Sequence, residues 1–352
     1  MPNATDTDIS RAIYIDIEAL QTDPPHCALV GVLTGSTGED LEQLIVDPRL
    51  APAHVARRDR LRVANWPDAV GTIVTRAAKE DRRIVGWSNF DRDRMAEARP
   101  DLRGEIHARY LNALEIARPW RQKVHPSFKV EREDRFSPKH TLDQYAKLAA
   151  YKDAWAFDDA KPAAWIRHTL RQLDAQDGRY RRITPEAKRD WHKVLDYNRH
   201  DLLALRHIVM AAARELGLWR AYERTRFCVN DGEKRICFKA GSQNRQLDAL
   251  LARHDVTRWA FITSSNPGSR PLSKHENARR HSELRAAVQA AGLVALDGEG
   301  IGEDPSWPPE RSLLILNISR DKAISLGRRF EQLAIVVGRR GEASRLVPVE
   351  PD

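Results

Sequence analysis

The sequence predicts an α/β protein in two parts, with a mixed sheet flanked by helices over residues 1–220 and a smaller α+β domain over residues 223–352. Three observations indicate this division. Short β-branched runs near the start of the chain precede a long region with helical periodicity. That helical pattern ends near Gly217, where hairpin-like strands begin. A chain of 352 residues is also long enough to bury two hydrophobic cores.

The first part begins with three strands joined by short turns. Apolar, β-branched runs predict strands over residues 11–19, 27–34 and 43–47. Apolar residues on one side of residues 66–79 predict a helix, and residues 83–87 predict a further strand. We therefore expect a mixed sheet whose functional groups come from strand ends and from helices.

The first predicted strand carries two acids in an otherwise apolar run. Side chains alternate between faces along a strand, so Asp16 and Glu18 point the same way, while Ile13, Ile15 and Ile17 take the opposite, buried face. Two neighbouring carboxylates repel each other unless a cation neutralises them, and a divalent metal ion does this while activating water. An ordinary half-exposed edge strand would show the same alternation.

Two later acids favour the metal site over the edge strand. Asp91 follows the strand predicted at residues 83–87, after a short polar tip. Asp201 lies in a helical pattern, with Tyr197 four residues earlier on the same helical face. We therefore expect the four acids to meet in one cleft.

These motifs resemble the RNase H-like 3′-5′ exonucleases of the DEDD type, in their Tyr-bearing subclass and closest to the YprB-like branch. The matching positions are Asp16 and Glu18 in the first motif, Asp91 of NFD in the second, and Tyr197 and Asp201 of YNRHD in the third. The segment HTLDQYAKLAAYK is similar to a helix of that branch. Asp196 occupies the position at which the His-bearing subclass has histidine, which favours the Tyr-bearing assignment. The resemblance covers about residues 10–215.

The resemblance implies an RNase H-like fold and a metal-dependent 3′-5′ exonuclease that hydrolyses single-stranded DNA or RNA. Asp16, Glu18, Asp91 and Asp201 would hold two Mg²⁺ or Mn²⁺ ions, and Tyr197 would orient the attacking water. Two alternatives remain open. The first part could be a non-catalytic scaffold that recruits nucleic acid for the second, or the second part could be the enzyme and the first its targeting module. Four like charges in one cleft favour catalysis, because a pure binder gains nothing from them.

Residues 118–139 mix basic and aromatic side chains and break the helical periodicity with three prolines. Aromatic rings that stack on bases and cations that follow phosphates are typical of single-strand binding. The alternative is a solvated loop whose aromatic residues, Phe136 among them, pack into the fold. The residues proposed to contact nucleic acid are Asn89, Trp120, Arg121, Lys123, Phe128 and Lys129.

The net charge of the chain fits a nucleic-acid partner. The chain has a formal net charge of +8, and each predicted part carries half of it. No apolar run approaches the length of a membrane span, and the N-terminus lacks the pattern of a signal peptide. We therefore expect a soluble, cytoplasmic protein without a membrane partner.

The cysteines and histidines are interpreted as structural. Cys27, Cys228 and Cys237 have neither metal-ligand spacing nor a disulfide framework, which fits a reducing compartment. Cys228 and Cys237 flank a hairpin turn, so we expect them near each other as packing residues. The helical histidines, His192, His200 and His207, are spaced too widely to share one ion, and His200 is expected to point away from Asp201.

The second part alternates short strands and helices, and Ser273 with Glu276 forms a capping box for one of the helices. It resembles a small bacterial domain family of unknown function. The matching residues are Trp259–Thr263, Asn266–Arg270, Glu276, Asn277, Gly298–Gly300, Trp307, Glu310 and Gln332. That resemblance implies no activity and no known partner. Asn266, Asn277, Glu299 and Glu310 either converge on one pocket or serve only turn geometry, and the spacing leaves both open.

Overall fold

The computed structural model describes residues 6–20, 22, 25–36, 40–56, 61–130, 140–157, 160–232 and 234–350. The chain divides into two compact units, as the sequence predicts. One comprises Met1–Arg121 and Ser127–Arg214, and the other comprises Gln122–Pro126 and Glu215–Asp352.

A mixed six-stranded sheet forms the centre of the first unit. Its strands are β1 Ile13–Leu20, β2 His26–Leu33, β3 Leu41–Ile45, β4 Leu61–Val63, β5 Ile84–Gly86 and β6 Tyr110–Asn112. The strand order is β4-β3-β2-β1-β5-β6. The predicted meander β1–β2–β3 is antiparallel, whereas β4 pairs in parallel with β3, and β1, β5 and β6 are parallel neighbours. The mixed sheet is thus confirmed. The strands missed by the prediction, β4 and β6, have three residues each and are too short to show periodicity.

Helices cover both faces of this sheet. They are α1 Asp6–Ser10, α2 Trp66–Lys79, α3 Asn89–Ala98, α4 Arg103–Arg109, α5 Leu114–Val124, α6 Leu142–Leu148, α7 Pro162–Ala175 and α8 Pro185–Arg224. Among the described residues, 3-10 segments at Pro100–Leu102 and Tyr180–Arg182 join α3 to α4 and α7 to α8, and a further one at Pro48–Ala56 lies between β3 and β4. The bounds predicted for α2 are confirmed. The helix end predicted near Gly217 is wrong, because α8 continues to Arg224 through this glycine.

The alternation of β1 divides the interior of the first unit into two layers. Ile13, Ile15 and Ile17 are buried together against α2, α3 and α4, as predicted. On the other face, residues from β2 and β3 pack against α7 and α8, with Trp191 fully buried. Burial of this apolar surface is the main force that holds each helix to the sheet.

The second unit is built on an antiparallel seven-stranded half-barrel. Its strands are β7 Arg226–Asp231, β8 Lys234–Lys239, β9 Arg258–Thr263, β10 Ala295–Ile301, β11 Glu310–Leu316, β12 Ala334–Arg339 and β13 Arg345–Pro348, in the order β13-β12-β9-β11-β10-β7-β8. Its own helices are α9 Arg245–Arg253, α10 Lys274–Ala290 and α11 Arg320–Arg329. Half of the predicted capping box of α10 is confirmed, because the Ser273 side chain accepts a hydrogen bond from the backbone N–H of Glu276. The Glu276 carboxylate pairs with Arg279 instead of completing the box.

A disulfide joins Cys228 and Cys237, which corrects the interpretation of both as simple packing residues. The proximity itself was predicted. The two residues are directly opposite in the β7–β8 hairpin with their Cα atoms 4.1 Å apart, so their sulfur atoms meet. Cys27 is free and buried. The inference of a reducing compartment from the cysteines therefore loses its basis. In the part of the chain that the structure describes, no helix combines the length and apolar character needed to cross a bilayer.

Candidate functional site

Three of the predicted acids meet in the first unit. Asp16 and Glu18 lie on β1, on the face opposite the isoleucines, and Asp201 lies on α8. One carboxylate oxygen from each of these three residues lies within 4.8 Å of those of the other two. Although β1 and α8 are far apart in sequence, they lie close in space because α8 packs its apolar face on the sheet.

Asp91 stands beside this set rather than within it. It occupies the first turn of α3, where Ser88 caps the helix. Its buried carboxylate accepts hydrogen bonds from the Tyr110 hydroxyl, at 3.5 Å, and from the backbone of Ile17 on β1. Its charge raises the pKa values of Asp16 and Glu18, so it belongs to the same electrostatic cluster.

Burial makes this cluster costly when it is ionised. It raises the pKa of all four carboxyl groups, and that of Asp91 reaches about 7. Mutual repulsion adds to the effect at Asp16 and Glu18. Among the described residues, no lysine or arginine forms an ion pair with any of the four acids. The Glu18 Oε1 atom is buried without any hydrogen-bond partner, which is a further cost.

These observations fit a hard divalent cation. Carboxylate oxygens are the ligands that Mg²⁺ and Mn²⁺ prefer, and an ion would neutralise the mutual repulsion. It would also give Glu18 Oε1 the partner that the protein does not supply. Asp16, Glu18 and Asp201 are therefore suited to hold one such ion, and Asp91 is the remaining acid from which a neighbouring ion could take a ligand.

An amide network positions Asp16. The Asn198 Nδ2 atom donates to Asp16 Oδ2 at 2.7 Å and to the Asp16 carbonyl at 3.1 Å. Gln43 Nε2 donates in turn to Asn198 Oδ1 at 3.0 Å and to the Leu195 carbonyl at 2.8 Å. Gly31, opposite Asp16 on β2, makes room for this network, because a Cβ there would lie 2.3 Å from Asn198 Oδ1. The sequence prediction missed Asn198, although it lies three residues before Asp201 on the same helical face.

His200 contacts Asp201, contrary to the prediction that it points away. Its Nε2 atom donates to the Asp153 carbonyl at 2.9 Å, and its Nδ1 atom lies 3.2 Å from Asp201 Oδ1. Both neighbours are acceptors, so together they favour the doubly protonated ring when Asp201 is ionised. Burial lowers the pKa of His200, but the hydrogen bonds to Asp201 and to the Asp153 carbonyl outweigh it and leave the pKa raised. The ring turns inward because Phe157 and Tyr151 pack against it, at 5.0 and 5.5 Å between centroids.

Tyr197 lies beside the acids on α8. Its ring packs nearly perpendicular to Phe157, with 5.6 Å between centroids, and also against Trp165 at 6.5 Å. Its hydroxyl hydrogen-bonds Asp201, and burial together with the charges of Asp201 and Glu18 raises its pKa. The tyrosine therefore stays protonated at neutral pH and offers an O–H donor at the acidic cluster.

The residues predicted to bind nucleic acid differ in their exposure and in their partners within the protein. Trp120 has only 1% of its surface exposed, so it cannot stack on a base. The interpretation of this part of the segment as a loop is wrong, because residues 114–124 form α5 despite an internal proline. Residues 131–139, including Phe136, lie outside the described residues. Arg121 donates to the Phe128 carbonyl at 3.0 Å, Lys123 pairs with Glu223 at 3.2 Å, Asn89 accepts from Asn112 at 3.0 Å, and Lys129 is exposed.

Two exposed aromatic side chains were missed by the sequence prediction. Trp155 is 69% exposed, and the Lys147 ammonium lies 3.8 Å from its ring centroid. Phe90, next to Asp91 in sequence, is 37% exposed. Exposed rings near cations can stack on bases. Spacing gave no signal for either, because single exposed aromatic residues resemble core residues in sequence.

In the second unit, three of the four predicted polar residues converge. Asn266 Nδ2 donates to Glu310 Oε1 at 2.7 Å, and Asn277 Nδ2 donates to Asn266 Oδ1 at 2.9 Å. Glu299 does not join them, because it pairs with Arg235 across the β10–β7–β8 part of the sheet. The alternative of turn geometry also holds for Asn266, which has a left-handed backbone with φ of 48°.

One comparison with known proteins gives a match. Residues 262–335 match the model of a family described as "Protein of unknown function (DUF3293)", which confirms the resemblance of the second part to a domain of unknown function. Searches of the curated proteins and of the solved structures find no match to the chain. None of these comparisons supports an exonuclease superfamily for the first part, so that assignment depends on its residues and geometry.

Proposed function

We propose that the protein is a metal-dependent 3′-5′ exonuclease that hydrolyses single-stranded DNA or RNA through its first unit. The observation that carries this proposal is the convergence of Asp16, Glu18 and Asp201, with Glu18 Oε1 buried and unpartnered. Burying acids without a basic partner destabilises a fold, so such a cluster is expected where a cation is bound.

The topology of the first unit supports an RNase H-like fold. In the sheet, β1 is antiparallel to β2 on one side and parallel to β5 on the other, and β6 follows in parallel. An antiparallel meander that continues into parallel strands is the arrangement that the sequence resemblance implies. Two of the acids lie on β1, where the antiparallel and parallel halves join.

Two Mg²⁺ or Mn²⁺ ions, when bound, would neutralise the scissile phosphate and lower the pKa of the attacking water. Asp16, Glu18 and Asp201 would hold one ion, and Asp91 would supply a ligand to the second. The Tyr197 hydroxyl would donate a hydrogen bond that orients the attacking oxygen. Asn198 fixes Asp16, and His200 fixes the orientation of the Asp201 carboxylate. The product would be a nucleoside 5′-monophosphate.

A gel assay tests this proposal directly. Single-stranded DNA and RNA, labelled at either end, are incubated with the full chain and Mg²⁺, Mn²⁺ or EDTA. We expect a ladder that shortens from the 3′ end with metal and none with EDTA. Asp201→Asn should abolish cleavage, whereas Asp196→Asn, five residues earlier on α8, should not. If the wild type binds the strands and leaves them intact with every metal, the scaffold alternative is the better account.

Metal binding is tested separately from cleavage. Ligands that bind only the folded state raise the melting temperature, so Mg²⁺ and Mn²⁺ should stabilise the wild type. Asp16→Asn and Glu18→Gln should each weaken this response. An unchanged melting curve at millimolar concentrations of both ions would count against the site.

A further inference from the structure

The second unit contains a cavity of about 600 Å³, lined by residues of the half-barrel strands and of the end of α8. Its walls are largely apolar, with Phe227, Phe261 and Val336 from three strands and Tyr222 from the end of α8. Small-molecule sites have this volume and this character, an apolar lining with a few fixed polar groups. The proposed exonuclease activity makes no use of this cavity.

Gly300 of β10 lines the cavity, and the neighbouring Gly298 lets an aromatic side chain pack closely on the same strand. Gly300 is directly opposite Phe227 on one side and Glu310 on the other, so all three positions share one face of the sheet. A Cβ at Gly300 would meet Thr225 at 3.7 Å and Phe227 at 4.0 Å, so the space above it is free. A Cβ at Gly298 would lie 2.7 Å from the Phe261 ring, so glycine there lets that ring lie against the strand. A larger residue at position 300 would fill the space.

Glu310 is the polar group of the cavity that we expect to select the ligand. Burial raises its pKa, and none of the lysines or arginines in the described ranges pairs with it. Its Oε1 atom accepts from Asn266 Nδ2 at 2.7 Å and from Trp307 Nε1 at 3.0 Å. No donor from the described residues reaches Oε2. The carboxylate is therefore held firmly by one oxygen, while the other is available to a ligand.

The partners of Glu310 are themselves fixed. Asn266 Oδ1 accepts from the Leu272 backbone N–H and from Asn277 Nδ2, both at 2.9 Å. The Asn266 backbone N–H donates to Asn277 Oδ1 at 3.0 Å. The side chains of Asn266 and Asn277 thus bond within this network, and Glu310 Oε2 is the acceptor that it leaves open. Such preorganisation is expected where a ligand must be oriented.

The chemistry of the lining selects the charge of the ligand. Among the charged residues lining the cavity, Glu303, Asp304 and Glu310 are acidic, whereas Arg220 and Arg224 are basic. Both arginines are exposed, and Arg224 lies 3.7 Å from Glu303. The half-buried acid with its free oxygen is therefore the dominant charge inside. Aromatic rings such as Trp307, which touches the carboxylate through its N–H, also favour a cation.

We propose that this cavity binds a small organic cation, in which a protonated amine contacts Glu310 Oε2 and an apolar body fills the space left by Gly300. The site lies within the second unit and needs no residue of the acidic cluster of the first. Loss of nuclease activity therefore does not bear on it.

A matched set of three probes tests the proposal on the full chain. 2-Phenylethylamine, 2-phenylethanol and phenylacetate have one body with a cationic, a neutral and an anionic end. Binding is followed by NMR through the indole N–H of Trp307, which is identified by its loss in Trp307→Phe. We expect the amine to shift this signal with a dissociation constant in the millimolar range, roughly tenfold or more below those of the other two probes.

Three variants complete the test. Glu310→Gln should weaken amine binding roughly tenfold or more and remove the preference for the cation, because the isosteric amide keeps the shape without the charge. Glu299→Gln, on the neighbouring strand but outside the cavity, should bind like the wild type. Gly300→Leu should block all three probes. Absence of amine binding, a preference for phenylacetate, or equal binding by Glu310→Gln would each overturn the proposal.

Discussion

Replacing Asp91 by asparagine should stabilise the metal-free protein, although it removes a carboxylate from the candidate metal site. Burial raises the pKa of Asp91 from its ordinary value of 3.8 to about 7. Each tenfold change in proton affinity between the folded and unfolded states corresponds to about 1.4 kcal/mol. The ionised carboxylate therefore costs the folded state roughly 4 kcal/mol above pH 7. The amide is neutral and nearly isosteric, so it avoids this cost.

The gain should depend on pH in a defined direction. Because the folded pKa is raised, the favourable contribution of the protonated acid is complete below pH 3.8 and is lost as the pH rises through about 7. The amide satisfies the neighbouring donors less well, which costs about 1–2 kcal/mol. We therefore expect Asp91→Asn to be about 2–3 kcal/mol more stable than the wild type at pH 8, and about equal to it at pH 5.

Urea unfolding in EDTA at the two pH values measures this difference. Asp93→Asn is the matched control on the same helix, because Asp93 is half exposed and paired with Arg92, so its loss should change stability by less than about 1 kcal/mol at either pH. With Mg²⁺ present, the advantage of Asp91→Asn should shrink or reverse. The reasoning is refuted if Asp91→Asn is no more stable than the wild type at pH 8 in EDTA.

Three further predictions follow from single residues. Gly31→Ala should cost about 1–3 kcal/mol, since its methyl group would collide with the side chains of Asn198 and Leu202, whereas Gly217→Ala, with nothing within 4 Å, should stabilise α8 slightly; equal effects in urea unfolding would argue against this close approach of α8 to Gly31. Tyr197→Phe should slow cleavage by roughly 10- to 1,000-fold and keep the metal-induced rise in melting temperature; an unchanged rate would remove the tyrosine from the mechanism. Trp120→Ala should destabilise the protein by about 3–5 kcal/mol, with no selective loss of nucleic-acid affinity once the fraction folded is corrected for.

The sequence predicted those features whose cause is local. The alternation of Ile13, Ile15 and Ile17 with two acids fixed both faces of β1, and periodicity with good termini fixed α2. The acids on β1 and α8 were predicted to meet, and their oxygens do converge. The two faces of β1 and the buried face of α2 follow repeats of two and 3.6 residues, which the sequence shows directly. The meeting of β1 with α8 is not local, and it was expected because the motifs resemble those of a known family.

Features that depend on distant partners were not predicted. A histidine next to an acid in a helix points away from it by helical geometry alone. The rings of Tyr151 and Phe157 and the Asp153 carbonyl, all distant in sequence, hold His200 towards Asp201. The Cys228–Cys237 disulfide depended on hairpin register, which a one-residue slip would have changed. The stretch that contains Trp120 read as a loop because of its prolines, yet burial of the tryptophan keeps it helical.

Each unit holds acidic side chains away from solvent, with no lysine or arginine of the described segments paired to them. The number of acids indicates the charge of the ligand that we propose for each site. For the acids of the first unit we propose a divalent ion, whereas for the one half-buried acid with a single open oxygen in the second unit we propose a monovalent organic cation. No residue is shared between the two sets, so the two ligands should act separately. Glu310→Gln should leave the Mg²⁺-induced rise in melting temperature unchanged, and Glu18→Gln should leave the affinity for 2-phenylethylamine unchanged. If either variant alters the response of the protein to the other ligand, the two sites do not bind their ligands separately. The assignment of one class of ligand to each site from its charge would then fail.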